Sequence, residues 1–565
     1  MKTIYRNLIF IATAFSSVFG LSSCIGDLNT VPLNPYDKVP ETAYGRDEAG
    51  YLQGLTKIYF QFISNDTKDL QVSDGGASEL NRAFWSVQET TTDEAKCAWA
   101  NDAWVRALNT NTWSESQNDA TYAVYVRTLQ GISYVNEFLR ETTDEKLDSR
   151  GVDDAVRAKV AQFRAEARFL RAYFYWMAID TFGNVPFITE DSDFGAGVNP
   201  EQGKRKDIFD YCITELRDLA SETSAMPAAR SNYPRADKGA VCGLLARMYL
   251  NAEVYSGTAM WQEAKDVCED IFGMGYDLCP NYPDLFRGDN GENPDALKEI
   301  IFASAYDAEQ SQSYGGTSYL TLAAVAAEDV VEETVQGEAG ETTVTYFPNG
   351  VNNGWAGIRV PFEFVSQHFD VSGQDYNTGE YECADSRGKM FYIKGRTESM
   401  EGNLYTFLNG WSCLKFNNVP HNTTSAEWAG VSTTKAYSDI DYPLIRLGEI
   451  YLIYAEACLE LGELSEGLPY MQKLAARAGI EEPTGYTEST LLTERGRELY
   501  WEGHRRTDLI RFDRFHTNSY LWPYKGGESF GGQAFDAYKD LFAIPPTDLS
   551  ANVEIDQNPG YADTF

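Results

Sequence analysis

Amphipathic helices arranged in pairs are the feature that most constrains how this chain can fold. In segment 162–182, apolar residues recur at the spacing of one helix face, at Phe163, Ala167, Leu170, Phe174 and Met177. Gly183 and Pro186 end this predicted helix, because glycine tolerates left-handed backbone and proline cannot continue the turn.

Two further helix pairs follow, over 235–255 with 261–272 and over 446–463 with 468–478. Small residues alternate with large ones in them, which is a tetratricopeptide-like pattern. Each pair must bury its apolar face against the next, so several pairs have to stack. The sequence therefore predicts a mostly α-helical fold built on a tetratricopeptide-like helix-pair scaffold.

A long irregular insert interrupts this scaffold between about 289 and 441. It is rich in Gly, Asn and Thr and keeps no helical period, which predicts loops and short strands. Segment 328–341 is acidic and poor in large apolar residues, so we expect a mobile surface loop there. Because no Pro/Gly/Ser linker divides the chain, residues 41–565 are predicted to form one domain. Loops mounted on rigid helices are where binding groups usually lie.

The N-terminus has the pattern of an export signal. Two positive charges precede an apolar run over 8–19, and small residues precede Cys24. This pattern predicts a lipoprotein signal peptide over 1–23, lipidation of Cys24 and an extended Pro-containing tether over 24–40. The alternative is a plain secretory signal in which the cysteine occurs by chance.

Composition excludes one class of partner and favours another. The chain has 47 Lys and Arg against 84 Asp and Glu, for a net charge of −37, so nucleic acid is not expected to bind. Aromatic residues make up 13% of the chain, with 35 Tyr and 11 Trp. Rings with a polar edge are thus abundant beyond the needs of a core, which favours surfaces on which a ligand stacks.

The cysteines after Cys24 leave two interpretations open. They have irregular spacing and form no CxxC pair; they are Cys97, Cys212, Cys242, Cys268, Cys279, Cys383, Cys413 and Cys458. An exported protein can form disulfides, and Cys268 with Cys279 is the closest pair. Buried free thiols on helix faces explain the pattern equally well.

Catalytic and metal-binding patterns are weak. The sequence has no G-x-S-x-G, H-E-x-x-H or Gly-rich phosphate loop, and only four histidines. Asp289, Asn290 and Glu292 offer closely spaced oxygens that suit calcium, although they lack the full EF-hand pattern and a solvated turn is the simpler interpretation. We therefore expect neither an enzyme nor a required cofactor.

Four sequence blocks, at 166–186, 442–457, 494–512 and 542–561, give the chain a family resemblance over nearly its whole length. In this order they are similar to the SusD/RagB family of outer-membrane nutrient-binding lipoproteins. The resemblance implies an outer-membrane, lipid-anchored protein exposed at the cell surface. It also implies a TonB-dependent transporter of the SusC type as partner.

Three segments, at 91–102, 314–320 and 352–359, resemble the glycan-contacting segments of the starch-binding member of that family. The resemblance implies an aromatic arc for a coiled α-glucan and polar contacts beside it: Trp99, Tyr314 and Trp355, with Asp74, Arg82 and either Asn101 or Asp102. Asn101 is preferred on chemistry. The alternative interpretations are that the tryptophans belong to the core and that Arg82 pairs with Asp74 at the surface.

The expected function is non-catalytic binding of starch or a related α-glucan and its delivery to the transporter. Sugar rings have apolar faces that pack on aromatic rings and hydroxyls that need donors and acceptors. Three rings with a few hydrogen bonds give a weak site, roughly micromolar to millimolar. The alternatives are a family member that binds another glycan or a peptide and, from a different class, a surface glycoside hydrolase.

Overall fold

The computed structural model describes residues 44–562, apart from 66–69, 71, 73–74, 117, 194, 196–197 and 338–339. The predicted signal peptide, Cys24, the tether and Asp74 lie outside the described residues. None of the helices within the described ranges has the length and apolar character needed to cross a membrane.

Over these ranges the chain is mostly helical, as predicted, with short strands between the helices. The helices, α1 to α19 in chain order, span Glu48–Tyr59, Leu80–Glu89, Ala103–Asn109, Asp119–Glu141, Asp144–Arg150, Asp154–Phe182, Arg205–Ala220, Lys238–Leu250, Ala252–Ser256, Trp261–Phe272, Ala296–Glu299, Gly316–Leu322, Phe362–His368, Ser425–Ser432, Leu447–Leu461, Leu464–Ala478, Glu488–Leu499, Arg505–Arg511 and Pro546–Ala551. The strands, β1 to β12, span Lys96–Cys97, Val185–Pro186, Gln202–Gly203, Ile300–Ser304, Val331–Gly337, Gly340–Tyr346, Ile358–Arg359, Val371–Asp375, Glu380–Cys383, Phe391–Tyr392, Ser412–Cys413 and Tyr442–Arg446.

The long helices pack in succession, which gives the stacked helix pairs that the sequence predicts. Helix α6 packs between α4 and α7, α7 against α8, α8 against α10, and α10 against α15, which pairs with α16. Helix α6 ends at Gly183, whose φ of +71° fits the predicted glycine stop. The predicted helix over 235–255 is broken into α8 and α9.

Helix α8 shows how the layers are held together. The side chain of Asp237 caps it by accepting hydrogen bonds from the backbone N–H groups of Gly239 and Ala240. Arg247, at its other end, forms a buried ion pair with Glu449 of α15 at 2.7 Å. Helices α8 and α15 are thus fixed to each other in the core.

Buried charges bind the irregular insert to the scaffold. Arg387 and Lys415, both in the insert, contact glutamates of the last third of the chain. The cluster pairs four largely buried cations with four buried glutamates: Arg387, Lys415, Arg446 and Arg477 with Glu299, Glu494, Glu498 and Glu502. Because removing one member would leave a buried charge without its partner, these ion pairs attach the Arg387 and Lys415 segments of the insert to the scaffold.

The acidic segment 328–341 differs from its prediction as a loop. Strands β5 and β6 pair antiparallel in continuous register, from Val331 opposite Tyr346 to Gly337 opposite Gly340. Val and Thr recur along both strands and favour extended backbone, and the glutamates between them stay in solvent. The acidic composition predicts a loop, whereas the β-branched residues of the same segment favour the hairpin.

The cysteines are free thiols, as one of the two interpretations of the sequence predicts. All eight that follow Cys24 are buried and unpaired, so Cys268 and Cys279 form no bridge. Burial raises the pKa of the Cys97 thiol to about 11, which keeps it protonated at neutral pH.

Candidate functional site

An open cleft of about 560 Å³ brings together most of the predicted site residues. Its lining consists of Gly75, Gly76, Arg82, Trp99, Asp102, Tyr314 and Trp355. Asn101 is exposed on the same loop but does not line the cleft, whereas Asp102 does. A cavity of similar size, about 580 Å³, is lined by arginines, carboxylates, hydroxyls and aliphatic side chains, with no aromatic ring.

A short sheet joins the two loops that carry the tryptophans. Strands β1 and β7 pair antiparallel, with Lys96 opposite Arg359 and Cys97 opposite Ile358. The backbone N–H of Ala98 donates to the carbonyl of Gly357 at 2.7 Å, which continues the pairing. Trp99 and Trp355 therefore stand at the end of one sheet although they are far apart in sequence.

Lys96 fixes the base of the Trp99 loop from inside the protein. Its buried ammonium group donates to the carbonyl oxygens of Thr90, Thr92 and Asn109, at 3.1, 2.9 and 2.9 Å. These carbonyls belong to the end of α2, the turn after it and the end of α3. One side chain thus ties together the three segments that precede and follow Trp99.

Trp99 is held in place by an aromatic neighbour and by a glycine. Its ring centroid lies 5.8 Å from that of Tyr319, at an interplanar angle of 57°. A Cβ atom on Gly357 would lie 2.5 Å from Trp99 Cε2, and the φ of Gly357 is +116°. Only glycine fits this position, so the backbone closes directly against one edge of the indole.

Arg82 lies below the cleft and joins its two sides. The side chain is buried, with its guanidinium carbon 4.0 Å from the ring centroid of Tyr319 and 5.9 Å from that of Trp99. Its Nη1 donates to the backbone carbonyl of Tyr314 at 3.4 Å. The alternative ion pair with Asp74 involves a residue outside the described ranges, so it stays a prediction. The positive charge of Arg82 lies among rings at the floor of the cleft.

Tyr314 projects from a glycine turn and is 49% exposed. Gly316 has a φ of +45°, and a Cβ atom on Gly315 would lie 2.3 Å from Oε2 of the buried Glu79. Glu79 accepts hydrogen bonds from the hydroxyls of Tyr306, at 2.5 Å, and Ser313. Burial raises the pKa of the Glu79 carboxyl to about 8. The exposed ring thus rests on a turn that packs on a buried carboxyl group.

The rings of the cleft continue into an aromatic residue that sequence reasoning missed. The ring centroid of Tyr314 lies 5.7 Å from that of Trp355 and 5.0 Å from that of Tyr437. Tyr437 lies in the loop before β12, and nothing in its local sequence distinguishes it from the other tyrosines.

The loop that carries Trp355 is held independently of the indole ring. The backbone N–H of Trp355 donates to the carbonyl of Leu322 at 2.7 Å.

The chemistry of the cleft suits a ligand with apolar faces and polar edges. Trp99 and Trp355 are half-buried and Tyr314 is half-exposed, so parts of all three rings remain open to the cleft. Arg82 and Asp102 supply a donor and an acceptor beside them. Such a surface can pack on the C–H face of a sugar ring and hold its hydroxyls.

The residues considered for calcium are largely engaged with the protein. Asp289 accepts hydrogen bonds from the backbone N–H and Nδ1 of His421, at 2.9 and 2.5 Å. Asn290 is buried and exchanges hydrogen bonds with the backbone of Asp441, while Glu292 is exposed. In the part of the chain that the structure describes, no three His, Cys, Asp or Glu side chains are grouped to hold a metal ion.

Comparisons with known proteins agree with this fold. The model of the SusD family matches residues 298–561, and a model described as "Starch-binding associating with outer membrane" matches residues 66–250. Starch-binding protein SusD of Bacteroides thetaiotaomicron is 30% identical, over 99% of this chain and 100% of that protein. SusD-like protein P2 of Formosa agariphila is 26% identical over 74% of this chain and 78% of its own length.

Solved structures share the fold at lower identity. A SusD-like protein from Bacteroides fragilis has a TM-score of 0.66 and 16% identity, covering 93% of this chain and 100% of that one. A laminarin-binding SusD-like protein has a TM-score of 0.63 and 19% identity, covering 92% and 100%. Together with the full-length similarity to SusD, these matches show that the chain belongs to the SusD family.

Proposed function

We propose that this protein binds starch or a related α-glucan at the cell surface, without catalysis, and passes it to a TonB-dependent transporter of the SusC type. The observation that carries the proposal is the cleft in which Trp99, Trp355 and Tyr314 expose ring surface around Arg82. Similarity over nearly the whole chain to a protein named for starch binding supports the choice of glycan.

The arrangement of the rings favours a curved chain of sugars. Trp99 and Trp355 come from loops joined by one sheet, and Tyr314 is tilted by 57° from Trp355. Rings that face a common cleft at different angles match a ligand whose successive sugars turn, as they do in a coiled α-glucan. A flat strip of coplanar rings would instead suit an extended glycan.

A weak site is adequate for this role. Each stacked ring adds about 1 kcal/mol beyond its area burial, so three rings and a few hydrogen bonds give roughly micromolar to millimolar affinity. A polymer presents many repeats to many tethered copies, and such multivalency raises capture by about a hundredfold or more. Weak binding at each site also allows the glycan to be released to a partner.

Calorimetric titration tests the choice of glycan. We expect α-cyclodextrin and maltoheptaose to bind in the micromolar to millimolar range, and oligosaccharides of laminarin to bind more weakly or not at all. The Trp99→Ala variant removes one ring of the cleft, so it should bind the α-glucans more weakly than the wild type. Absence of heat with every α-glucan, together with binding of laminarin or a peptide, would replace this proposal with the corresponding alternative.

Release of reducing sugar tests whether the protein is an enzyme. Among the described residues, Asp102 is the one carboxylate that lines the cleft, whereas glycoside hydrolysis normally uses two. We expect no release from starch above a buffer control after prolonged incubation with pure protein. Sustained turnover that is lost in an Asp102→Asn variant would establish the glycoside hydrolase alternative.

Membrane location and the partner are tested in cells. The predicted lipidation of Cys24 and the outer-membrane description of the matching family model support an anchored protein. Cys24→Ser should move the protein from the outer-membrane fraction to the soluble fraction. Co-purification of the wild type with a TonB-dependent transporter is expected, and an isolated protein under the same mild extraction would contradict the delivery step.

A further inference from the structure

We infer that Tyr437 forms an additional sugar-binding subsite beyond the cleft, so that long α-glucans gain affinity that short or cyclic ones do not. The inference rests on the proposed function of the cleft. Tyr437 contacts Tyr314 with 5.0 Å between ring centroids, but it does not line the cleft itself. It therefore lies next to Tyr314, outside the lining of the cleft.

The loop that carries Tyr437 is fixed to both loops that carry neighbouring cleft residues. The carbonyl of Lys435 accepts a hydrogen bond from the N–H of Asn352, three residues before Trp355 along the chain, at 2.9 Å. On the other side of Tyr437, the N–H of Ser438 donates to Oγ of Ser318 at 3.0 Å. Ser318 lies in α12, directly after the Tyr314 turn. The position of Tyr437 relative to the cleft is thus set by main-chain contacts.

Asp439, the residue after Ser438, also anchors the loop that carries Tyr437. The N–H of Asp439 donates to Oδ1 of Asn418 at 2.7 Å, and its carboxylate forms an ion pair with Lys435 at 3.2 Å. The Tyr437 ring itself remains partly exposed. A partly exposed ring on a pre-ordered loop loses little conformational entropy when a ligand packs on it.

The pair Tyr314 and Tyr437 presents a continuous surface to a chain leaving the cleft. Their centroid separation of 5.0 Å and angle of 41° are within the range of contacting aromatic pairs. The neighbouring Tyr314 side chain, together with partial burial, raises the pKa of the Tyr437 hydroxyl. A glucan that leaves the cleft on this side of Tyr314 would therefore meet the ring of Tyr437.

A purely structural role for Tyr437 predicts a different dependence of affinity on ligand length. If Tyr437 only positions Tyr314 through the hydroxyl contact, its removal weakens every ligand that uses Tyr314, whatever its length. If it is a subsite, the loss depends on ligand length and the ring matters more than the hydroxyl. Tyr437→Ala and Tyr437→Phe separate the two, since phenylalanine keeps the ring and removes only the hydroxyl.

The experiment is calorimetric titration of both variants with maltoheptaose, maltotriose and α-cyclodextrin, with melting temperature measured in parallel. We expect Tyr437→Ala to bind maltoheptaose about fivefold more weakly and to bind maltotriose and α-cyclodextrin as the wild type does. Tyr437→Phe should stay within about twofold of the wild type for all three. Melting temperatures should not change.

Two results overturn the inference while leaving the proposed function intact. Equal loss of all three ligands in Tyr437→Ala would make Tyr437 a positioning residue, and unchanged affinity for maltoheptaose would remove it from the site. If the wild-type protein binds none of the three, the proposed function fails and the subsite fails with it.

Discussion

Replacing Trp355 with alanine tests whether the cleft rings bind the ligand or only complete the fold. If a sugar face removes on the order of 40 Å² of the indole from water, ~25 cal/mol per Å² gives about 1 kcal/mol. Stacking adds about 1 kcal/mol, so the total loss is about 2 kcal/mol, or roughly 30-fold in affinity. Few protein contacts are lost, because the ring is half-buried and its backbone is held by the Leu322 carbonyl.

The assay is calorimetric titration with α-cyclodextrin together with thermal unfolding. The expected result is a roughly 30-fold weaker affinity with a melting temperature within about 2 °C of the wild type. Trp261→Ala is the matched control, since Trp261 is also half-buried but lies on α10 and does not line the cleft. Unchanged affinity in Trp355→Ala, or equal loss in Trp261→Ala, would refute the reasoning.

Three further predictions concern the residues that support the cleft and the buried ion cluster. Gly357→Ala should weaken α-cyclodextrin binding, because its Cβ would lie 2.5 Å from the Trp99 ring; Gly402→Ala, also at positive φ but with open space around it, should not. The Glu79 carboxyl has a pKa of about 8 in the folded state, so its contribution to stability is lost as pH rises from about 4.5 to 8. The melting temperature of Glu79→Gln relative to the wild type should therefore rise over that range. A constant difference between the two would contradict this prediction. Glu498→Gln leaves Arg387, Arg446 and Arg477 short of a partner, so it should lower the free energy of unfolding by about 3–5 kcal/mol. The affinity for α-cyclodextrin should stay unchanged, and a loss of affinity in folded protein would contradict this prediction.

The helical scaffold was predictable because its cause is local. A helix face repeats every few residues, so the apolar spacing in α6 and the glycine after it specify the element before any tertiary contact forms. The bounds of α15 differ from the prediction by one or two residues at each end, which is the usual uncertainty of helix termini.

The insert was less predictable because its order comes from distant partners. Strand β7, Ile358–Arg359, is only two residues long and exists because Lys96 and Cys97 pair with it. Arg387 is buried because Glu494 and Glu498 receive it. Neither effect leaves a periodic signal in the sequence near these residues.

The candidate site contains residues that the sequence identifies and one residue that only the folded structure reveals. Its three arc rings were identified by resemblance, and the structure places Trp99, Tyr314 and Trp355 around one cleft. The resemblance leaves the choice between Asn101 and Asp102 open by one residue, and the preference for Asn101 rests on chemistry. In the structure Asp102 lines the cleft and Asn101 does not. Tyr437 joins the aromatic surface only through folding, so sequence reasoning had no means of finding it.

The most direct measurement of the central claim is a crystal structure of the protein soaked with α-cyclodextrin or maltoheptaose. Binding by the cleft predicts sugar rings packed on Trp99, Tyr314 and Trp355, with hydroxyls within hydrogen-bond distance of Arg82 or Asp102 and the glycan intact. Sugar bound elsewhere with an empty cleft, or a cleaved product between those rings, would contradict it.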